Sequence, residues 1–369
     1  MRISYDAKRI FHNNTGLGNY GREVVRILHQ NSNIERFFLF NTKKSSFENI
    51  LPQDKISIIY PKGWFWKKLS SLWRMFAINK QIVLDNPDIY HGLSGEIPIG
   101  LSKNIASIVS IHDLIFLSHP HYYNPFDRLI YKLKFKYAAR RADLVIAISE
   151  QTKRDIIKYL KVEEDKIEVA YQGCNAAYKV QYNHNQKENI VKKYGLPSEF
   201  VLNVGTIQER KNVLTLVKAI HHTNLHLVII GSEKKYAKKV HKYVNDHDLS
   251  NRVHFLKNVP LADLAIIYQL AKIFCYPSIC EGFGIPIIEA LFSKTPVITS
   301  QGGCFPEAGG PSTAYINPND SDALKKKLEE LTSDESLRKS MIEKGYAYAQ
   351  RFSDENVANH LIELYKSVL

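Results

Sequence analysis

The chain is poor in sulfur, with four cysteines and three methionines in 369 residues. Cys174, Cys275, Cys280 and Cys304 show neither C-x-x-C spacing nor paired histidines, which excludes a zinc module and a disulfide framework. Cys275 and Cys280 lie among apolar residues and read as reduced core positions. There is no apolar run of about 18 residues, so no segment reads as a membrane-spanning helix. The first residues lack the apolar core of a secretory leader, because Arg2 runs straight into the strand-like Ile3-Ser4-Tyr5-Asp6. The expected setting is the cytoplasm, extending to the inner face of the cytoplasmic membrane. Internal repeats of roughly 20–50 residues are also missing, which excludes solenoids.

What the chain does have is size, apolar content and positive charge. A length of 369 residues favours two domains, and 44% hydrophobic residues can fill both cores. The net charge of +13 is uneven: residues 1–186 carry 27 Lys/Arg against 17 Asp/Glu, and residues 187–369 carry 23 against 20. A basic first half points to an anionic partner. Nucleic acid is set aside, since no exposed stacking platform or known module is visible.

Short apolar strands alternate with helical patterns along the chain. Strands are expected at 3–6, 37–40, 56–60, 88–91, 105–111, 144–148 and 167–170, with helices near 20–30, 65–85, 127–141 and 150–160. Residues 175–188 are polar and read as a linker. Strands then resume at 200–204, 225–230, 253–256, 273–276, 296–299 and 314–316. This alternation predicts an α/β chain of two Rossmann-like, doubly wound domains facing a central cleft. The expected bounds are 1–182 and 183–352, with a last helix over 353–369 packing back on the first domain.

The densest chemistry lies in 273–300: a strand, the loop Glu281-Gly282-Phe283-Gly284, a short apolar helix carrying Glu289, and another strand. Glycines before a helix start let backbone amides approach an anionic ligand. Two acids eight positions apart can serve a sugar and the rest of a nucleotide. On these residues alone, Glu289 equally complements the helix dipole and Glu281 is equally a plain loop acid. Gly205-Thr206 and then Arg210-Lys211 follow the first strand of the second half, where two cations suit a diphosphate. Gly16 and Gly18 precede the first long helix, and a plain flexible loop is the competing reading. His112 and His91 end strands, where an imidazole can serve a sugar hydroxyl or a phosphate. Capping of the next turn is the alternative. Asp246-His247-Asp248 and Asp320-Ser321-Asp322 look like metal pairs, but Asp320 or Ser321 reads better as a helix cap, and no metal site is expected. In 64–76, Phe65, Leu69, Leu72, Trp73 and Phe76 share one helical face. With Trp64, Trp66, Lys67, Lys68, Trp73 and Arg74 this predicts contact with an anionic membrane surface, helped by the basic stretch 127–141.

Taken together, these motifs resemble the retaining glycosyltransferases of family four, which have the GT-B fold. The resemblance covers nearly the whole chain: Gly16-Leu17-Gly18-Asn19-Tyr20, Ile111-His112-Asp113-Leu114, 142–149, 205–212 and, most specifically, Glu281 to Glu289 with seven residues between them. The 205–212 segment looks most like mannosyltransferase members that build cell-surface polysaccharide. The resemblance implies that Glu281 contacts the donor sugar, that Gly282, Phe283 and Gly284 lie near sugar and phosphate, and that Glu289 holds the ribose. It further implies that Arg210 and Lys211 neutralise the leaving diphosphate, that His112 serves the reacting centre, and that Gly16 and Gly18 approach diphosphate or acceptor. Thr206 and Ile207 stand where many members carry a cation, so Arg210 and Lys211 carry more of that load. The implied activity is metal-independent retaining transfer from a nucleotide-diphosphate sugar, GDP-mannose first, to a saccharide or lipid-linked saccharide. No cofactor is implied. A sugar-nucleotide epimerase or hydrolase, or a non-catalytic nucleotide-sugar sensor, are the alternatives.

Overall fold

The computed structural model describes residues 1–13, 15–52 and 54–369. The chain forms two compact units, residues 1–173 with 353–369 and residues 174–352. The first boundary falls before the expected one. Residues 174–182 go with the second unit because they are stapled to its helix Leu261–Leu270: Gln269 Nε2 donates to Val180 O at 2.6 Å, and buried Tyr178 meets Tyr268 edge-on at 5.3 Å. The polar stretch read as a linker runs, in its last five residues, into a helix, His184–Tyr194, started by a capping box of Asn183 and Gln186 and ended by Gly195 at φ 58°. Polarity hid it, since Ile190 is its buried anchor.

The first unit holds a seven-stranded sheet: β1 (Arg2–Asp6), β2 (Arg36–Phe40), β3 (Ile56–Ile59), β4 (Ile89–Gly92), β5 (Ala106–Ile111), β6 (Leu144–Ala147) and β7 (Ile167–Val169). Its spatial order is β3-β2-β1-β4-β5-β6-β7, and every pairing is parallel. The second unit holds β8 (Phe200–Val204), β9 (His226–Ile230), β10 (Val253–Leu256), β11 (Ile273–Tyr276), β12 (Val297–Ser300) and β13 (Ala314–Ile316). These run β10-β9-β8-β11-β12-β13, again all parallel. Helices cover both faces of such sheets, so central strands read as continuous apolar runs, as in the fully buried β11. Strand order reverses between β1 and β4 and between β8 and β11, the places where doubly wound sheets bind ligands.

The helix Asp354–Lys366 belongs to the first unit, where Leu361, Ile362, Leu364 and Tyr365 join a core with Val24, Val25 and Leu28 of the helix Gly16–His29. Arg26 ties the two helices through Asp354 at 2.7 Å. Counted by unit, the charge asymmetry nearly vanishes: 27 Lys/Arg against 20 Asp/Glu in the first, 23 against 17 in the second.

The segment 64–85 is not one regular helix. It turns at Leu69 (φ −102°, ψ 44°) and winds with a wider, π-type turn over Trp73–Ala77. The expected face is therefore rotated. Trp73 is buried against Phe40, and Arg74 is buried on Asp6 and Glu96, so neither can meet a membrane. Trp66 packs partly on the same core, while Trp64, Phe65, Leu72, Phe76, Lys67 and Lys68 are exposed.

Candidate active site

The site builds up from the carboxyl end of β8. Gly205 leaves the strand at φ 145°, a conformation open to glycine, and Gly231 at the end of β9 lies so close that a Cβ there would sit 2.0 Å from Gly205 O. The chain then makes one tight turn, Glu209–Lys211, and Asn212 adopts a left-handed conformation before the helix Val213–His221. The Asn212 amide donates to Pro277 O at 3.2 Å and Pro318 O at 2.6 Å, anchoring this turn to the loops after β11 and β13. Ile279 N donates to Arg210 O at 2.8 Å and fixes the same junction.

This geometry throws both cations onto one carboxylate. Arg210 Nη1 reaches Glu281 Oε2 at 2.7 Å and Lys211 Nζ reaches Oε1 at 2.6 Å. The three side chains are 22%, 13% and 10% exposed for Arg210, Lys211 and Glu281, so water screens the cluster little. Burial alone would raise the Glu281 carboxyl, but Lys211 and Arg210 outweigh it and hold it at about 2. Burial pulls the Lys211 ammonium down, against the pull of Glu281. Arg210 Nη1 also donates to Cys280 O at 3.0 Å, and the Cys304 thiol donates to Glu281 O at 3.3 Å.

Glu289 lies one turn into the helix Ile285–Phe292, which starts from Gly284 at φ 123°. Tyr268 donates to its Oε2 at 2.9 Å, and Tyr178 is a second hydroxyl partner. Burial dominates here and lifts the carboxyl to about 7 despite both tyrosines. Phe283 turns its ring into the core, 5.6 Å from that of Phe352, which leaves only its backbone to face a ligand. Thr206 pairs its hydroxyl with Ser232 at 3.2 Å.

In the first unit the glycine turn is helical from Gly16, four residues earlier than expected. A Cβ on Gly18 would sit 1.8 Å from Asn13 O, so Gly18 serves close packing, whereas Gly16 has open space beside it. His112 Nε2 bonds Leu93 O at 2.9 Å and its ring meets Tyr20 edge-on at 4.5 Å. Burial pushes it down to about 4, so it is neutral at pH 7. His91 is fully buried between Tyr365 OH at 2.7 Å and Ser110 Oγ at 2.8 Å. It is a structural link in place of a ligand group.

Of the expected residues, Arg210, Lys211 and Glu281 are in direct contact, and Gly205 lies beside Lys211. Tyr276, Tyr268, Tyr178 and Gly231 were missed. A tyrosine closing an apolar strand reads as core filler, and only its position at the carboxyl end of β11 could have flagged Tyr276. Asp320 caps the helix Ser321–Ser333 through Ala323 N at 2.8 Å, as its spacing predicts.

Two parallel, doubly wound units with their ligand-type loops at the switch points make this a GT-B glycosyltransferase fold. Residues 15–178 match the profile for Glycosyltransferase Family 4, and residues 186–348 that for Glycosyl transferases group 1. The chain belongs to the family-four glycosyltransferases and is mannosyltransferase-like among them. It is 27% identical over 386 residues to O-antigen chain mannosyltransferase B of Escherichia coli, covering 99% of this chain and 100% of that one. It is 28% identical to O-antigen chain mannosyltransferase RfbU of Salmonella typhimurium, over 85% and 86% of the two chains. Among solved structures it is similar to a glycosyltransferase from Rickettsia africae, with TM-score 0.78, 21% identity and 100% and 98% coverage. HepE of Anabaena, in complex with UDP and glucose, matches with TM-score 0.78 at 16% identity and 99% coverage of both chains.

Proposed function

We propose that this glycosyltransferase moves mannose from GDP-mannose to a saccharide or lipid-linked saccharide in cell-surface polysaccharide synthesis. The observation that carries the reading is the buried Arg210–Glu281–Lys211 cluster at the β8/β11 switch point. The names of the O-antigen relatives support the sugar, and the UDP bound by HepE supports a nucleoside diphosphate donor.

On this reading Arg210 and Lys211 take up the charge that develops on the departing diphosphate. Backbone amides from Gly205, Thr206, Gly282, Phe283 and Gly284 add to this field. Glu281 accepts from sugar hydroxyls and Glu289 from the ribose. The neutral His112 imidazole serves the reacting sugar, and Gly16 is the glycine of its turn with room for a ligand. The donor bond from the anomeric carbon to the phosphate oxygen breaks and the bond to the acceptor oxygen forms on the same face. The acceptor proton passes to the departing phosphate oxygen, so configuration is retained and the step needs no metal.

Thermal shift against GDP-, UDP-, ADP- and dTDP-sugars tests the donor, because a bound ligand raises the unfolding temperature by mass action. The largest shift is expected with GDP-mannose, and no shift with any of them would sink the donor reading. Nucleotide release should depend on acceptor; an epimer formed without acceptor would sink transfer. Product NMR should give the donor's anomeric configuration, with the rate unchanged by EDTA.

The reading extends to a membrane surface. The exposed Trp64, Phe65, Leu72 and Phe76 lie beside Lys67 and Lys68, and the helix Pro125–Arg141 exposes Phe126, Leu129 and Leu133 among Lys132 and Arg140. The segment between them is tied to both, since Ile99 N donates to Met75 O at 2.8 Å and Gly100 N to Tyr137 OH at 3.3 Å. Trp64→Ala with Phe126→Ala should weaken binding to anionic vesicles. Unchanged sedimentation with vesicles would remove the idea.

A further inference from the structure

Tyr276 closes β11 and is 2% exposed, yet its hydroxyl sits among the charges of the site. Lys211 Nζ donates to it, and it donates to Glu281 Oε1 at 3.1 Å. The ammonium lies 4.8 Å from the centre of the tyrosine ring, beyond its hydroxyl end, so the hydroxyl is the group through which Tyr276 meets Lys211. Arg210 is anchored differently, by Cys280 O and, with its amide turned, by the Gln208 oxygen at 3.1 Å. Each cation therefore has a neutral anchor and a share of Glu281.

An arriving diphosphate is a second anion at a site whose two cations already hold one. It must take over the charge that Glu281 neutralises, which frees the carboxylate for hydroxyl groups. Arg210 keeps its rigid fork on backbone and amide oxygens. Lys211 ends a flexible four-carbon stem and has no such fork. We propose that Tyr276 is a positioning residue that keeps the Lys211 ammonium in place for the diphosphate while Glu281 turns from the cations to the sugar.

This inference rests on the proposed donor reading, so its test starts with a probe that carries no base or sugar. Inorganic pyrophosphate binding is measured by calorimetry on the full chain, and kcat and KM with the donor found by thermal shift. Tyr276→Phe keeps the ring and removes the hydroxyl. The expected result is roughly ten- to a hundredfold weaker pyrophosphate binding and a similar fall in kcat, the worth of one hydrogen bond to a charged group. Free pyrophosphate carries the terminal charge that the donor acquires only as its bond to the sugar breaks, so KM should move less than kcat. The groups facing Lys211 are Glu281, Arg210, Tyr276, Cys280 and Cys304. Losing the acceptor hydroxyl removes support for the protonated amine, so the alkaline limb of the pH–rate profile should move to lower pH. In a Lys211→Met background Tyr276→Phe should add almost nothing, because the tyrosine acts through the lysine. Equal effects with and without Lys211, or an unmoved alkaline limb, would overturn the proposal and leave Tyr276 a packing residue. Wild-type protein that binds neither pyrophosphate nor any sugar nucleotide would overturn the donor reading itself.

Discussion

The ends of β1 and β8 hold comparable ionic clusters built around groups of opposite charge. In the first unit two carboxylates, Asp6 and Glu96, close on Arg74, and Lys134 reaches Glu96 from the outer side at 3.8 Å. In the second, two cations close on Glu281. The deeper groups of the first unit are neutral: Tyr5, Tyr365, His91, Ser110 and Tyr20 bond one another, with His91 pushed down to about 3 by burial and the nearby His112. The units share a sheet plan and nearly the same net charge. What separates them is the group at the centre, a guanidinium held by two carboxylates in the first and a carboxylate held by two cations in the second, and on the proposed reading the second is the cluster that meets the anionic donor.

The largest expected effects test this inversion directly. Arg74→Ala leaves two carboxylates facing each other in a mostly buried place and should cost about 3–5 kcal/mol of stability, read as a fall in the unfolding midpoint. Arg210→Ala should instead lower kcat by roughly 10²–10³-fold, the loss of one donor aimed at developing charge. Were Arg74→Ala to lower kcat as far as is expected of Arg210→Ala, the two clusters would not differ in role. Tyr365→Phe removes the hydroxyl shared by His91 and Tyr5, and chemical denaturation should show about 1–3 kcal/mol lost.

A pH dependence separates two acids of the same unit. The Glu281 pKa is held at about 2, below its ordinary value of 4.5, so its contribution to stability is full above pH 4.5 and disappears as pH falls toward 2. Glu289 is lifted to about 7, so the folded state binds the extra proton and stability declines as pH rises from 4.5 toward 7. Glu289→Gln should flatten the decline near neutrality and leave the acid side unchanged. Glu281→Gln should do the reverse. A Glu289→Gln variant with an unchanged slope would remove the contrast.

Much of this was legible in the residues because β-strands buried on both faces announce themselves as apolar runs. All thirteen strands were placed within a residue or two. Arg210, Lys211 and Glu281 were legible as a group of charges following strand ends of one sheet, and the structure brings their side chains into contact. Their mutual ion pairs were not, since sequence separation of about seventy residues says nothing of which anion a cation holds in the absence of ligand. Helix periodicity failed over 64–85 because the chain breaks its helix at Leu69 and then winds with a wide turn, which rotates every later side chain. That moved Trp73 and Arg74 from a surface to a core. Tyr268 and Tyr178 were invisible for a different reason: aromatic residues in apolar helices and turns are ordinary core, and only the third dimension brings their hydroxyls to Glu289.

The return of the helix Asp354–Lys366 to the first unit fixes an order of assembly. The second unit is one uninterrupted stretch and can close as soon as residue 352 is available. The first cannot, because Tyr365 completes the bonds of Tyr5 and His91 and Leu361 fills the core behind Val24. On a ribosome, residues 1–173 therefore wait with an unfilled apolar face until residues 353–369 follow. A stretch made before the second unit matures after it.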